Sequence, residues 1–303
     1  MEGFDMSDGA NCAISRRGFL NAGLAVAGGV FALGLQRAVG AAGKERARWV
    51  FLSDTHVAAD PENNYRGFYP YRNLGRAVEG IVGDRPEGVV VTGDLARLSG
   101  HIGDYENLHE RLSPVLEKCP TCLAMGNHDD RDNFRKVFVD RAGSDQKVRG
   151  KHVVAVDTGP VRLLVLDSLL FVNHVPGLLG KAQREWLASY LRTHDDKPVI
   201  LFLHHTLGDG DGDLLDVPRL FEIIRPAAVV KAVVYGHSHA YAYSELDGIH
   251  LINLPALGYN FHDSQPLGWV EALLRPDGAE FILHAIAGNK ALHGRSDKLH
   301  WRA

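Results

Sequence analysis

Short apolar runs alternate along the chain with segments whose apolar residues recur at helical spacing. The runs have the length and the branched side chains of buried strands. They are residues 48–52, 88–92, 121–125, 198–203 and 229–235. Amphipathic segments between and beside them predict helices. These segments are residues 71–82, 104–116, 131–141, 181–192 and 214–224. The alternation predicts an α/β fold in which helices cover a sheet.

Further strands complete the predicted architecture. Residues 153–166 and 241–254 each predict a β-hairpin, and residues 268–285 predict two last strands around a Pro-Asp-Gly turn. We expect the strands to form two sheets that pack face to face between the helices. One domain is expected from residue 43 to residue 303, with a loosely ordered polar segment after Gly288.

Residues 1–42 have the features of an export signal. Arg16 and Arg17 precede an uncharged apolar run, residues 20–35, and small residues follow at 39–42. The pattern resembles a bacterial twin-arginine signal, so we expect the twin-arginine translocase to export the folded protein to the periplasm or beyond. We expect cleavage near residue 42 and no stable membrane span afterwards. The alternative is a retained anchor, although the apolar run is short for a span.

Composition and cysteine usage narrow the function classes. The chain has 33 Lys and Arg against 37 Asp and Glu, a net charge of −4, which gives no electrostatic reason to bind a nucleic acid polymer. Cys119 and Cys122 form a C-x-x-C pair that predicts either a disulfide or two thiols. A thiol oxidoreductase is disfavoured because the pair precedes a strand rather than opening a helix.

Polar residues that suit metal ions follow the predicted strands. Their carboxylate, amide and imidazole groups are ligands for Zn, Mn or Fe, and they are too many for one ion. We therefore expect two divalent or trivalent ions that share a carboxylate. The candidate ligands are Asp54, His56, Asp94, Asn127, His204, His237 and His239. The adjacent His205 is an alternative to His204 at this position.

These residues lie in motifs that occur in a fixed order along the chain. The motifs are Asp54-x-His56, Gly93-Asp94, Gly126-Asn127-His128-Asp129, His204 and Gly236-His237-Ser238-His239. Together they resemble the calcineurin-like metallophosphoesterase family. The resemblance implies a four-layer α-β-β-α sandwich of two mixed sheets flanked by helices. It also implies that a hydroxide between the two metal ions attacks a phosphate ester.

The resemblance also implies roles for the individual residues. The first ion is assigned to Asp54, His56 and His239, and the second to Asn127, His204 and His237, with Asp94 as the bridge. His128 is expected to contact the phosphate or to protonate the leaving oxygen, with Asp129 orienting its ring. Asn127 and His128 are thus also candidate substrate contacts.

The substrate is less well defined by the sequence. Residues 93–100 and Tyr105 resemble bacterial cyclic-nucleotide and glycerophosphodiester phosphodiesterases, which favours phosphodiesters over monoesters. The alternatives are a phosphomonoesterase, a nucleotide pyrophosphatase, or a non-catalytic protein that binds metal or ligand. Tyr65 and Arg66 lie in an aromatic loop that either contacts a base or second phosphate or serves as a packing lid. Residues 209–213 resemble the start of a calcium loop but lack its later ligands, so we expect a solvated loop.

Overall fold

The computed structural model describes residues 44–139 and 144–303. The predicted export signal lies outside these residues. The helix expected over residues 131–141 ends earlier, at Val137, because Phe138 leaves the helical backbone with φ −96° and ψ 80°. The helices of the described part are α1 (Pro70–Asp84), α2 (Ile102–Leu116), α3 (Arg131–Val137), α4 (Lys181–Thr193) and α5 (Val217–Ile224). None of these helices is long and apolar enough to cross a bilayer.

The strands of the described part carry the following bounds. They are β1 (Ala47–Leu52), β2 (Gly88–Val91), β3 (Thr121–Leu123), β4 (Ser144–Gln146), β5 (Val153–Asp157), β6 (Arg162–Val165), β7 (Val199–Phe202), β8 (Val230–Tyr235), β9 (Ala242–Leu246), β10 (Ile249–Asn253), β11 (Pro266–Arg275), β12 (Gly278–Gly288) and β13 (Ser296–His300). Every run that the hydrophobic pattern predicted as a strand is confirmed as one.

The strands form two mixed sheets. One has the order β13-β12-β11-β1-β2-β3, and the other has the order β4-β5-β6-β7-β8-β10-β9. β1, β2 and β3 are parallel in the first sheet, as are β6, β7, β8 and β10 in the second. The predicted hairpins are the antiparallel pairs β5–β6 and β9–β10. The carboxyl ends of the parallel strands in each sheet therefore share one edge.

Three apolar clusters hold four layers together. Phe51 lies between the sheets, with ring centroids 4.8 Å from Phe202 and 5.7 Å from Phe281. A second cluster packs α1, α2 and α3 on the first sheet, and a third packs α4 and α5 on the second. β1 serves two clusters because its alternate side chains point to opposite faces. The predicted α-β-β-α sandwich is confirmed.

The segment after Gly288 is ordered, which corrects the expectation of a loose tail. β13 pairs antiparallel with β12 and covers its outer edge. Leu299 and Trp301 pack against the core between the sheets. Arg302 donates hydrogen bonds to the carbonyls of Ile224 at 3.0 Å and Ala227 at 2.7 Å. The prediction failed because an edge strand needs few apolar residues, so its sequence resembles that of a solvated tail.

Cys119 and Cys122 are thiols in the structure and are not joined as a disulfide. Cys119 follows the end of α2, and Cys122 lies within β3. Burial raises the pKa of the Cys119 thiol. Neither cysteine stands at a helix N-terminus, where a reactive thiolate would be stabilised, so the structure does not support a redox site here.

Candidate metal centre

All seven candidate ligands follow the carboxyl ends of parallel strands. Three of these strands belong to one sheet and two to the other, so the candidate site lies where the edges of the sheets meet. Asp54 and His56 follow β1, Asp94 follows β2, Asn127 follows β3, His204 follows β7, and His237 and His239 follow β8. His237 is half-buried, and the other six are buried.

The first ligand set is formed by Asp54, His56 and His239. His239 Nε2 lies 3.2 Å from Asp54 Oδ1 and 3.1 Å from His56 Nε2. Two ligand atoms that each lie about 2.1 Å from one ion are separated by about 3.0–3.4 Å at octahedral or tetrahedral angles. These two separations match that requirement, and the third, between His56 Nε2 and Asp54 Oδ1, is wider at 3.8 Å.

The second set is formed by Asp94, His204 and His237. His204 Nε2 lies 3.3 Å from Asp94 Oδ2 and 3.2 Å from His237 Nδ1. Asn127 adds a buried Oδ1 that has no hydrogen-bond partner within the described residues. A buried amide oxygen without a donor is costly, and a metal ion would satisfy it.

Asp94 lies between the two sets. Its Oδ2 is 3.7 Å from His56 Nε2 of the first set and 3.3 Å from His204 Nε2 of the second. Its Oδ1 accepts a hydrogen bond from the backbone nitrogen of His128 at 2.9 Å, which fixes the carboxylate in place. The residues present therefore fit two metal ions that share one carboxylate.

The backbone at the ligands is unusual. Five of them have a positive φ, a conformation that costs a residue other than glycine about 1–2 kcal/mol. They are Asp54 (53°), His56 (46°), Asp94 (48°), His237 (72°) and His239 (54°). Glycines leave room beside them, because a Cβ on Gly126 would lie 2.2 Å from Asp94 Oδ1. Strain concentrated at the ligands is typical of a functional site.

Backbone carbonyls fix the orientation of two ligand rings. His239 Nδ1 donates to the carbonyl of Tyr259 at 2.6 Å, and His237 Nε2 donates to that of Gly212 at 3.0 Å. Because a carbonyl oxygen only accepts, each bonded nitrogen carries the hydrogen, and the other nitrogen presents its lone pair to the ligand set. Gly212 belongs to the loop that we expected to be merely solvated, so this role was missed.

The structure distinguishes the two adjacent histidines after β7. His204 faces the second set, whereas His205 Nδ1 lies 2.8 Å from the hydroxyl of Ser168. The same hydroxyl accepts a hydrogen bond from the His204 backbone nitrogen at 3.2 Å. Ser168 thus supports the segment that carries the second set, although no sequence motif marked it.

His128 lies at the rim of the site, and its ring is oriented differently from our expectation. Its Nδ1 lies 2.8 Å from the carbonyl of Leu98, and its Nε2 lies 4.0 Å from Asp94 Oδ2. The expected contact between Asp129 and this ring is wrong. The Asp129 carboxylate instead accepts hydrogen bonds from Tyr105 and from backbone nitrogens after β2 and β3. These donors are Gly126 N (2.8 Å), Leu95 N and Ala96 N (both 3.1 Å) and the Tyr105 hydroxyl (3.2 Å).

The site has mixed protonation in the absence of metal. Burial lowers the pKa of His56 to about 3 and, together with nearby His204, that of His237 to about 4. Burial also opposes charge on His204, but the carboxylates of Asp94 and Asp54 outweigh it and raise the pKa of His204 to about 9. His56 and His237 are therefore neutral and ready to bind metal at pH 7, whereas His204 first has to lose a proton.

An aromatic wall stands beside the first ligand set. The Tyr259 ring lies 4.6 Å from His56, and the Tyr65 ring lies 4.7 Å from Tyr259. Phe261 stacks on His239 at 4.5 Å, and Arg66 donates to the Phe261 carbonyl at 2.8 Å. The structure thus brings the loop of Tyr65 and Arg66 to the site. Tyr259 and Phe261 follow β10 and were missed, because only the fold brings them here.

A binuclear ligand set at the meeting edges of two sheets, in a four-layer sandwich, defines a metallophosphoesterase type of protein. Residues 47–241 match the calcineurin-like phosphoesterase family, and the chain belongs to that family.

Relatives and a solved structure agree with this assignment. A probable cyclic nucleotide phosphodiesterase of Rhodococcus erythropolis is 33% identical over 200 residues, which cover 63% of this chain and 64% of the relative. The chain thus spans slightly less than two thirds of that relative. A glycerophosphodiester phosphodiesterase of Enterobacter lignolyticus is 30% identical over 233 residues, which cover 71% of this chain and 80% of the relative. A dimetal phosphatase from Danio rerio shares the fold, with a TM-score of 0.66, 16% identity, and coverage of 86% of this chain and all of that one (100%).

Proposed function

We propose that this protein is a metal-dependent phosphodiesterase. The observation that carries the proposal is the pair of ligand sets, with Asp94 within reach of both and His128 at their rim. The names of the Rhodococcus and Enterobacter relatives support diesters as the substrate class.

The proposed ligands follow from the two sets. Asp54, His56 and His239 would hold the first ion, Asn127, His204 and His237 would hold the second, and Asp94 would serve both. When bound, two such ions neutralise phosphoryl charge and lower the pKa of water, which makes a nucleophile available at neutral pH. Mn, Fe and Zn all suit this donor set.

His128 is the proposed proton donor to the leaving oxygen. The Leu98 carbonyl can only accept, so Nδ1 of His128 carries a hydrogen, and Nε2 is the atom left to exchange a proton with substrate. In its cationic form the ring can deliver that proton to the departing alkoxide. Asp129 holds together the loops that carry Asp94 and His128 and plays no direct part.

The aromatic wall is the proposed contact for the alcohol part of the diester. Tyr65 and Phe261 are 39% and 42% exposed beside the first ligand set. Exposed rings at a polar site favour an apolar or ring-bearing group on the substrate.

Hydrolysis of two chromogenic esters tests the proposal. The full-length protein, loaded with Mn, is assayed with bis-p-nitrophenyl phosphate and p-nitrophenyl phosphate, and its metal content is measured. We expect about two ions per chain and faster diester turnover. His56→Ala should abolish turnover, while His109→Ala, on the exposed face of α2, should not. Faster monoester turnover would indicate a phosphatase, and no turnover with both ions bound would indicate a non-catalytic binder.

We also propose that the protein is exported through the twin-arginine pathway. The support is Arg16 and Arg17 before the apolar run at residues 20–35, with small residues at 39–42. In a bacterial host we expect the full chain in the periplasmic fraction and the double variant Arg16→Lys, Arg17→Lys in the cytoplasm. Cytoplasmic retention of both proteins would contradict the proposal.

A further inference from the structure

Arg97 lies in the wall of the metal site. It is the third residue after Asp94, and its guanidinium lies 4.8 Å from the centre of the Tyr65 ring and 5.6 Å from that of Tyr259. Tyr259 in turn packs on His56 at 4.6 Å and on His239 at 4.7 Å. Two aromatic rings therefore hold a cation next to the first ligand set.

The charge of this cation is left uncompensated by the described residues. In the described part of the chain Arg97 forms no ion pair, and its buried Nε has no hydrogen-bond partner. The neighbouring Arg66 differs, because it donates to the Phe261 carbonyl. Guanidinium donors lie in the plane of the group, so rings on its faces leave its edge available for an acceptor.

A buried Nε without a partner does not by itself mark a ligand site. Arg111 on α2 also has a buried Nε without a partner. Its guanidinium lies 4.4 Å from the centre of the Tyr71 ring of α1, within the helix layer. The difference is the surroundings. Arg97 stands beside a site whose two carboxylates, Asp54 and Asp94, carry less charge than two metal cations, so its own charge adds to a positive excess. Such a site attracts anions.

We infer that Arg97 is a substrate-binding residue that donates from its guanidinium edge to an anionic oxygen of the phosphoester. The inference rests on the proposed function, since it needs a phosphoryl group at the metal site. The ligand class is a phosphate oxyanion, of the ester or of inorganic phosphate. Tyr65 and Tyr259 hold the guanidinium in position, so the contact requires little further ordering of the side chain.

Arg97→Met tests the inference, with Arg111→Met as the matched control. Both changes remove a half-buried arginine that stacks on tyrosine. Loss of a charge-assisted contact should raise the KM for bis-p-nitrophenyl phosphate at least about tenfold, with a smaller effect on kcat. Arg111→Met should change KM by less than about twofold, because only packing is altered. Arg97→Lys should fall between the two, since it keeps the charge but not the planar fork.

Calorimetric binding of inorganic phosphate to the metal-loaded proteins supplies a readout without turnover. We expect Arg97→Met to weaken phosphate binding about tenfold and Arg111→Met to leave it unchanged. Equal phosphate affinities in the two variants would overturn the inference, even if the wild type hydrolyses diesters. Loss of bound metal in both Arg97→Met and Arg97→Lys would overturn it too, because Arg97 would then act on the ligand set. If the wild type binds two ions but hydrolyses neither ester, the proposed function fails, and the phosphate affinities still decide the role of Arg97.

Discussion

Two buried serines should each affect the affinity of a different ligand set for its metal ion. Ser53 donates its hydroxyl hydrogen to Asp54 Oδ2, a carboxylate of the first set. Ser168 bonds His205 and accepts from the His204 backbone nitrogen, which supports the second set. Replacing either serine by alanine removes a hydroxyl without introducing bulk, so the variants form a reciprocal pair.

The expected magnitudes follow from how directly each serine supports a candidate ligand. The Ser53 hydroxyl bonds a candidate ligand carboxylate itself, and loss of such a partner typically lowers metal affinity about 10- to 100-fold. Ser168 bonds His205 and a backbone nitrogen rather than a candidate ligand atom, so its loss should lower metal affinity by less than about tenfold. Ser53→Ala should therefore lower the affinity for the first ion. Ser168→Ala should lower the affinity for the second ion by a smaller factor.

Metal titration followed by calorimetry measures the two affinities. Spectroscopy of a cobalt-substituted protein then identifies which ion is lost, with His239→Ala and His237→Ala as references for the first and second sets. Thermal unfolding of the metal-free variants checks that the fold is intact. Weakening of both ions by the same factor in each variant would refute the separation of the sets. No change in Ser53→Ala would refute the account of Asp54 as a ligand held by its neighbour.

Further predictions concern protons, the C-terminal segment and the cysteines. Metal binding should release about one proton from His204 at pH 7, because its pKa is raised to about 9 without metal and a metal-bound nitrogen carries no proton, so affinity should rise with pH up to about pH 9. Calorimetry in buffers of different ionisation enthalpy measures this release, and its absence would contradict the prediction. Arg302→Ala should lower the free energy of unfolding in urea by about 2–4 kcal/mol through lost bonds to carbonyls, against less than about 1 kcal/mol for the exposed pair in Arg225→Ala. An equal loss of unfolding free energy in Arg302→Ala and Arg225→Ala would contradict this prediction. Replacing Cys119 and Cys122 with Ser should leave turnover unchanged. A loss of turnover greater than the loss of folded protein explains would support a redox role for the two thiols.

The clustering of the candidate ligands could be predicted from the sequence because it depends on local pattern. Each buried strand is a recognisable apolar run, and its ligands follow within a few residues of its end. Parallel pairing then brings the ends together without further information. Asp54 and His239 are 185 residues apart along the chain, yet each could be located from its own strand.

Other parts of the site depend on contacts that no local pattern encodes. Tyr259, Gly212 and Ser168 stand in loops and act through a ring, a carbonyl and a hydroxyl, so their residue types carry no signal of the role. Asp129 shows the opposite error. Its position next to His128 in the sequence predicts a contact with that ring, but the turn directs its carboxylate to backbone nitrogens instead.

The residues proposed to bind metal and those proposed to select the substrate lie on different parts of this fold. Ligands on strand ends are constrained by two sheets, and several of them accept a strained backbone that metal binding would offset. The aromatic wall and Arg97 come from loops, which can vary without disturbing the sheets. A change at Arg97 should therefore alter which phosphate ligands bind while both ions stay in place, whereas a change at Asp94 should remove the ions and the activity together.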